Sequence, residues 1–272
     1  AMRTVRPGLR ESDVAAAVAE AAFKHNYQLS FPIIATINGQ TLHNHDHSHL
    51  IKSGDMVLLD AGAETEMGYA GDMSSTMPAD RKFTQRQRDV YDIQVAAHEA
   101  AVADLRPGVN FVDVYEHSCA IIMQGMKDLG FAKGDPMEAV KAGAHAMFMP
   151  CGLGHMMGLD VHDMENLGEV YVGYNGKPKS TQFGRKSLRL GRELEPGFVL
   201  TIEPGVYFIP ELMDLWRKEG KFTEFLNYDK LETYKDFGGI RNEEDYLITE
   251  DGARLLGKKI PVRAEDVENE HC

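Results

Sequence analysis

Apolar residues along the chain recur with two different periods. At positions 11–24, 85–105 and 111–129 they return about every three to four residues, which predicts three helices buried on one side. Thr84 and Gln87 form a capping-box pair ahead of the second helix, and Gly130 stops the third. Unbroken apolar runs at 56–59, 198–202 and 246–249 predict strands. The chain is therefore of mixed α and β content.

The pattern also repeats. Arg6-Pro7-Gly8-Leu9 followed by Asp13-Val14 returns 100 positions later as Arg106-Pro107-Gly108-Val109 followed by Asp113-Val114, each copy introducing a helix. A second echo sets GDMVLLDAG, from Gly54, against GFVLTIEPG, from Gly197, at an offset of 143, with an acid at the same place in each, Asp60 and Glu203. Two related α/β halves with an insertion of 43 residues around 151–192 account for both offsets. Halves that each end a strand on an acid would set those acids face to face across a pseudo-two-fold axis.

That expectation gives the acids a purpose. Val57, Leu58 and Leu59 run into Asp60, and a Gly-rich connection leads to Asp72. The second half offers Glu203 before Pro204 and Glu243 in GGIRNEEDYLIT, each attached to an apolar run. Unpaired carboxylates removed from water cost several kcal/mol each, and four together cannot all stay ionised without cations. Two divalent ions would balance four negative charges, so a dinuclear, oxygen-rich site suited to manganese, cobalt or zinc is expected. Between the halves lies CGLGHMMGLDVHD, where His155 and His162 stand seven apart among glycines that allow close backbone approach. A neutral imidazole suits a metal and a second one can hydrogen-bond a substrate oxygen, so His155 is assigned to the metal and His162 to the substrate.

Composition narrows the partners. The 272 residues are 43% hydrophobic and 26% charged, enough for a full core. A net charge of −13 without a basic block disfavours nucleic acid and anionic membranes. Segment 142–159 lacks formal charge but holds Pro150, four glycines and two histidines, which makes it a poor membrane span. Cys119, Cys151 and Cys272 are too few for a disulfide framework, which fits a cytoplasmic location. The opening AMRTVRPG carries no signal-peptide pattern and runs almost directly into a helix, so residues 1–272 read as a single catalytic domain from which an N-terminal domain is absent.

The segments LLDAGAE, GYAGD, GLGHMMGLDVHD, LEPGFVLTIEPGVYFI and FGGIRNEEDYLIT, in that order, resemble the pita-bread metallopeptidases of the prolidase and Xaa-Pro aminopeptidase branch, from about Arg6 to Leu256. The resemblance implies an α+β pita-bread fold, two pseudo-symmetric α/β halves around a curved antiparallel sheet. It implies metal ligands Asp60, Asp72, His155, Glu203 and Glu243, with Asp72 and Glu243 bridging two divalent ions, most often Mn²⁺. It implies substrate contacts by His43, His162, Arg192 and Arg241, with the two arginines also readable as structural ion pairs; His45, His47 and His49 read as a polar surface loop. The implied reaction is hydrolysis of the bond between an N-terminal residue and proline, in Xaa-Pro dipeptides or in peptides with proline second, with Glu203 and His162 catalytic. A homodimer is expected by analogy. FTEFLNYDKLETYKDFGGIRNEED is more similar to prolidases, favouring dipeptides. The alternatives are a creatinase-like C–N hydrolase, which lacks the acidic set, and an inactive peptide-binding module.

Three positions depart from the family pattern. The two aspartates stand twelve apart where eleven is usual, implying one extra residue within 64–68. Cys151 occupies a common histidine position before GLGH, and Asn242 replaces an apolar residue.

Overall fold

The computed structural model describes residues 1–270, so Cys272 lies outside the described residues. In chain order the helices are α1 (Glu11–Lys24), α2 (Gln85–Asp104), α3 (Phe111–Asp128), α4 (Pro136–Ala142), α5 (Glu169–Tyr174), α6 (Pro210–Glu219), α7 (Tyr228–Glu232) and α8 (Ala264–Glu270). The strands are β1 (Ile34–Thr36), β2 (Met56–Ala61), β3 (Met73–Pro78), β4 (Val199–Ile202), β5 (Gly205–Phe208), β6 (Gly238–Arg241), β7 (Glu244–Ile248) and β8 (Ala253–Leu255).

The expected capping box closes α2: Thr84 Oγ1 accepts from the Gln87 amide and Gln87 returns its side chain to the Thr84 amide. Helices α2 and α3 pack closely because α3 carries Gly125; a Cβ there would fall 2.5 Å from Ile93 Cγ1 of α2. All strand pairs are antiparallel: β1-β2-β3 in the first half, and β4-β7-β8 with β5-β6 in the second. The unpredicted pair β5-β6 is held by a ladder between distant segments, which a local pattern does not reveal.

Both echoes belong to one structural repeat. The Gly8 amide donates to the Ile51 carbonyl (2.9 Å) and Ile51 returns a bond to Leu9 (2.8 Å). In the other half Gly108 donates to Leu194 (2.8 Å) and Leu194 to Val109 (2.9 Å). The halves meet where the Glu243 amide donates to the Ser74 carbonyl (3.0 Å) and Thr76 Oγ1 to the Arg241 carbonyl (2.8 Å).

Two expectations need correction. The extra length of the second half is divided: α4 and the turn after it, Ala144–Met147, precede Cys151, and only the remainder falls within 151–192. The two parts flank a strand-like stretch, 153–157, that pairs with β4 as β1 pairs with β2, through Glu203 N to Leu153 O (2.8 Å), Thr201 N to His155 O (3.0 Å) and Met157 N to Val199 O (3.0 Å). The strand expected at 246–249 starts earlier, at Glu244, because Ile202 of β4 pairs with it and draws two acids into the buried ladder.

Candidate metal centre and substrate pocket

Every expected metal ligand arrives at one cavity of about 260 Å³, lined by Asp60, Asp72, His155, Glu203 and Glu243 together with His43, His162 and Arg241. The fold explains the convergence. Asp60 sits inside β2, and Asp72 just precedes β3, to which β2 is paired. Gly62 permits the connection, since a Cβ there would fall 1.7 Å from the Gly71 carbonyl oxygen. The extra residue inferred for 64–68 sits in a turn closed by Gly68 N to Thr65 O (2.9 Å), outside the β2-β3 ladder, so the register that aims both acids is kept. Glu203 follows β4, and Glu243 stands between β6 and β7 at the seam of the two halves.

Single atoms of Asp72, His155 and Glu243 lie within 4.8 Å of one another, and all three residues are buried. His155 Nε2 is 3.4 Å from Asp72 Oδ2 and 3.7 Å from Glu203 Oε1. His155 Nδ1 lies 3.0 Å from the Met156 carbonyl, a contact that requires the proton on Nδ1 and leaves the Nε2 lone pair toward the acids. Asp60 gives Oδ2 to Arg241 Nη2 (2.7 Å), and its buried Oδ1 has no partner, nor has Asp72 Oδ1. Glu243 Oε2 accepts from Ser74 Oγ (2.6 Å).

Burial, reinforced by neighbouring carboxylates, raises the carboxyl groups of Asp72 and Glu243 well above their ordinary range and Glu203 to about 7. These side chains fit divalent ions: buried acceptor oxygens without donors, a bare imidazole nitrogen, and Arg241 already paired with Asp60.

The substrate-side residues fare differently. His162 is half-buried, its ring 4.4 Å from that of His155, and burial pushes it down to about 3, so it is neutral. His43 reaches the rim of the cavity, where burial and then Arg241 lower its pKa. Arg241 is buried and directs every donor group at protein: Nε to Ser74 Oγ (3.0 Å), Nη1 to Tyr207 Oη (3.0 Å) and Nη2 to Asp60. It therefore acts as an internal counter-charge. Arg192 is not brought to the cavity; it pairs with Glu195 and lies over the Phe198 ring, 5.0 Å from its centre. It is the repeat partner of His49: their carbonyls accept from Phe111 and Glu11, the first residues of α3 and α1.

The structure adds residues that the sequence reading passed over. Arg189 lines the cavity and pairs with Glu165, and Tyr207 lines it from β5. Asp245 Oδ2 accepts from the Asp72 amide (3.1 Å), fixing the loop that carries Asp72, and burial raises its carboxyl to about 7. Tyr207 had a signal, being two residues beyond Gly205 in an apolar run. Cys151 borders the cavity with its thiol raised by burial to about 12, hence protonated. Of the remaining histidines, His49 pairs with buried Glu11 (2.9 Å) and His47 Nε2 meets the Ile33 carbonyl (3.0 Å), as a structural loop requires, whereas His45 borders a smaller cavity shared with Asp60 and Asp72.

Two repeated α/β halves thus close around a ring of acids, among which Asp72, His155 and Glu243 could hold a metal ion. The profile of Metallopeptidase family M24 matches residues 1–250, and the chain belongs to that family. It is 37% identical over 218 residues to the Xaa-Pro dipeptidase of Homo sapiens, covering 80% of this chain and 43% of that protein. It is 34% identical over 273 residues to the Xaa-Pro aminopeptidase of Escherichia coli strain K12, covering 98% of this chain and 53% of the relative. Proline aminopeptidase P II from Yersinia pestis superposes with a TM-score of 0.80 at 33% identity, over 99% of this chain and 54% of that one. The fold is thus the pita-bread fold of family M24, and the chain spans about half the length of the curated relatives it matches.

Proposed function

We propose that this chain is a divalent-metal-dependent peptidase that hydrolyses the bond between an N-terminal residue and a following proline. The observation that carries the reading is the cavity where Asp60, Asp72, Glu203, Glu243 and His155 converge with buried acceptor atoms left unpaired. Those five side chains would hold two divalent ions, manganese by preference; cobalt or zinc would suit the same donors. When bound, such ions lower the pKa of a water and polarise a carbonyl.

The chain's own groups then divide the work. Glu203 accepts the proton of the attacking water as the C–O bond forms and the carbonyl pair moves to oxygen, then delivers it to the proline nitrogen as that pair returns and the C–N bond breaks, so that water's atoms are shared between the products. His162, neutral and beside His155, donates to the carbonyl oxygen as negative charge develops there. Proline offers no amide hydrogen, so the ring needs shape more than a partner, which His43, Leu42 and Tyr207 supply at the cavity wall. Arg189, in place of Arg192, is the cation facing the cavity and the contact for a substrate carboxylate.

A free carboxylate directly after proline exists only in a dipeptide, which favours Xaa-Pro dipeptides over longer peptides. The experiment is a metal count on the purified protein together with rates on Leu-Pro and Leu-Pro-Pro-Ala in added manganese. Turnover of the dipeptide is expected; turnover of the tetrapeptide alone would make it an aminopeptidase. Neither turnover nor bound metal would leave the peptide-binding module, and turnover with no metal the creatinase-like chemistry. A cytoplasmic location and a homodimer belong to the same proposal, readable by fractionation and by mass in solution.

A further inference from the structure

Strand β7 has a second face. Successive side chains of a strand point to opposite sides, so while Glu243 and Asp245 serve the acidic cavity, Glu244 and Tyr246 enter another, of about 360 Å³, between β7, α2 and the C-terminal segment. Its inner end is built from two buried side chains that each leave an atom without a hydrogen-bond partner. His98 Nε2 and Glu244 Oε1 have no hydrogen-bond partner, and His98 Nε2 stands 3.8 Å from Glu244 Oε2, which is taken by the Tyr246 hydroxyl (2.8 Å). Two buried side chains therefore face one another 3.8 Å apart, each with an atom left unpartnered. The residues are 3% and 5% exposed, too deep for bulk water to serve both.

The rest of the wall restricts what could supply the donors. Val102, Ala103, Leu255 and Val262 give it an apolar stretch, which suits an organic body. Around the mouth Arg263 is matched by Glu99 (2.8 Å) and Asp266 adds a second acid, whereas Lys259 lines the cavity without an ion pair among the described residues and is the cation left to meet an anion. A cationic donor deep inside, an apolar middle and an anion at the mouth describe one kind of molecule.

We propose that this cavity binds a zwitterionic α-amino acid with an apolar side chain, its ammonium between His98 and Glu244 and its carboxylate toward Lys259. The ammonium's three hydrogens meet the unpaired acceptors, and the aliphatic side chain lies on Val102 and Leu255. The inference is independent of the peptidase reading, because none of these residues belongs to the acidic cavity.

Calorimetric titration of the full chain with L-leucine tests it. Binding to one site is expected, retained in Glu203→Gln, and weakened about tenfold or more by Glu244→Gln and with N-acetyl-L-leucine, which lacks the ammonium. Lys259→Met, an exposed position that keeps the fold, is expected to weaken L-leucine severalfold but to leave 3-methylbutylamine unchanged, since that amine has no carboxylate. Should Glu244→Gln not fold, the Lys259 variant and the two analogues decide alone. Absence of L-leucine binding up to about 10 mM, or binding lost in Glu203→Gln and untouched by Glu244→Gln and Lys259→Met, overturns the proposal.

Discussion

Stripping divalent ions should turn the acidic cavity into a source of pH-dependent instability, and the size of the effect follows from the geometry. Burial is the largest cause of the raised Glu203 carboxyl, with Asp72 and Asp60 adding repulsion while His155 and Arg241 oppose it. Its pKa moves from the ordinary 4.5 to about 7. A carboxyl whose folded pKa is raised binds more protons in the folded than in the unfolded chain. Its favourable contribution is therefore full below about 4.5 and is lost as pH climbs through about 7. At about 1.4 kcal/mol per unit, Glu203 alone accounts for roughly 3 kcal/mol, and Asp72, Glu243 and Asp245 act in the same direction without adding independently.

The comparison that isolates this is metal-free protein against metal-free Glu203→Gln, melted from pH 4.5 to pH 8. Buried His98 and His145, each lowered to about 4, change stability with the opposite sign over part of that range, but equally in both proteins. The variant should match the parent near pH 4.5 and exceed it increasingly above, by on the order of 5–10 °C at pH 8 for a chain of this size. Manganese should restore the parent, more effectively at higher pH, because metal ligands must be deprotonated. A gap that stays constant with pH would refute the charge argument on which the metal assignment rests.

Other expectations are tested at single residues. With metal present, Glu203→Gln should lower kcat on Leu-Pro by about 10²-fold or more, provided a metal count shows the ions retained. Arg189→Met should raise KM for Leu-Pro about tenfold or more, as expected for a lost charged contact, while Arg192→Met, remote from the cavity, should leave KM within about twofold; the reverse ranking in steady-state kinetics would restore the sequence reading of Arg192. Asn242→Ile should cost about 1–3 kcal/mol in denaturant unfolding, because it strands the buried Thr76 amide and the Gln94 side chain. Combining it with Gln94→Leu should recover part of that loss.

The parts of the fold set by local chemistry were legible in the sequence. Helix α1 begins and ends where its apolar spacing predicts, α2 opens at the Thr84 cap, and the paired Arg-Pro-Gly stretches lead into α1 and α3. Asp60, Glu203 and Glu243 could be named because each adjoins an apolar run, with the family resemblance choosing Glu243 among its acidic neighbours, and Asp72 and His155 because they follow Gly-rich stretches; all five line one cavity. What escaped depends on neighbours distant in sequence. Arg189 and Arg192 are equally basic and three apart; only the backbone bonds that tie Arg192 to the start of α3 turn one outward and leave the other at the cavity. The division of the insertion escaped for the same reason, since 153–157 is recognisable as a strand only once β4 lies beside it.

Asn242 and the acids after it show why a run of polar residues can be unreadable as a string and orderly as a strand. Asn242 accepts from the Thr76 amide (3.1 Å) and the Tyr91 hydroxyl (3.2 Å) and donates to Gln94, whose own amide donates to the Pro204 carbonyl (2.7 Å) beside Glu203. The polar residue at a usually apolar place thus ties α2 to both segments that carry the candidate glutamate ligands. Glu243 then faces the acidic cavity, Glu244 the opposite one, and Asp245 returns to fix the Asp72 amide. Because one residue's advance reverses the face, shifting this run by a single position would exchange the candidate ligand for its neighbour. The ladder from Ile202–Glu244 to Val199–Leu247 is what holds the register, so the assignment of Glu243 rests on backbone pairing rather than on the identity of the acid.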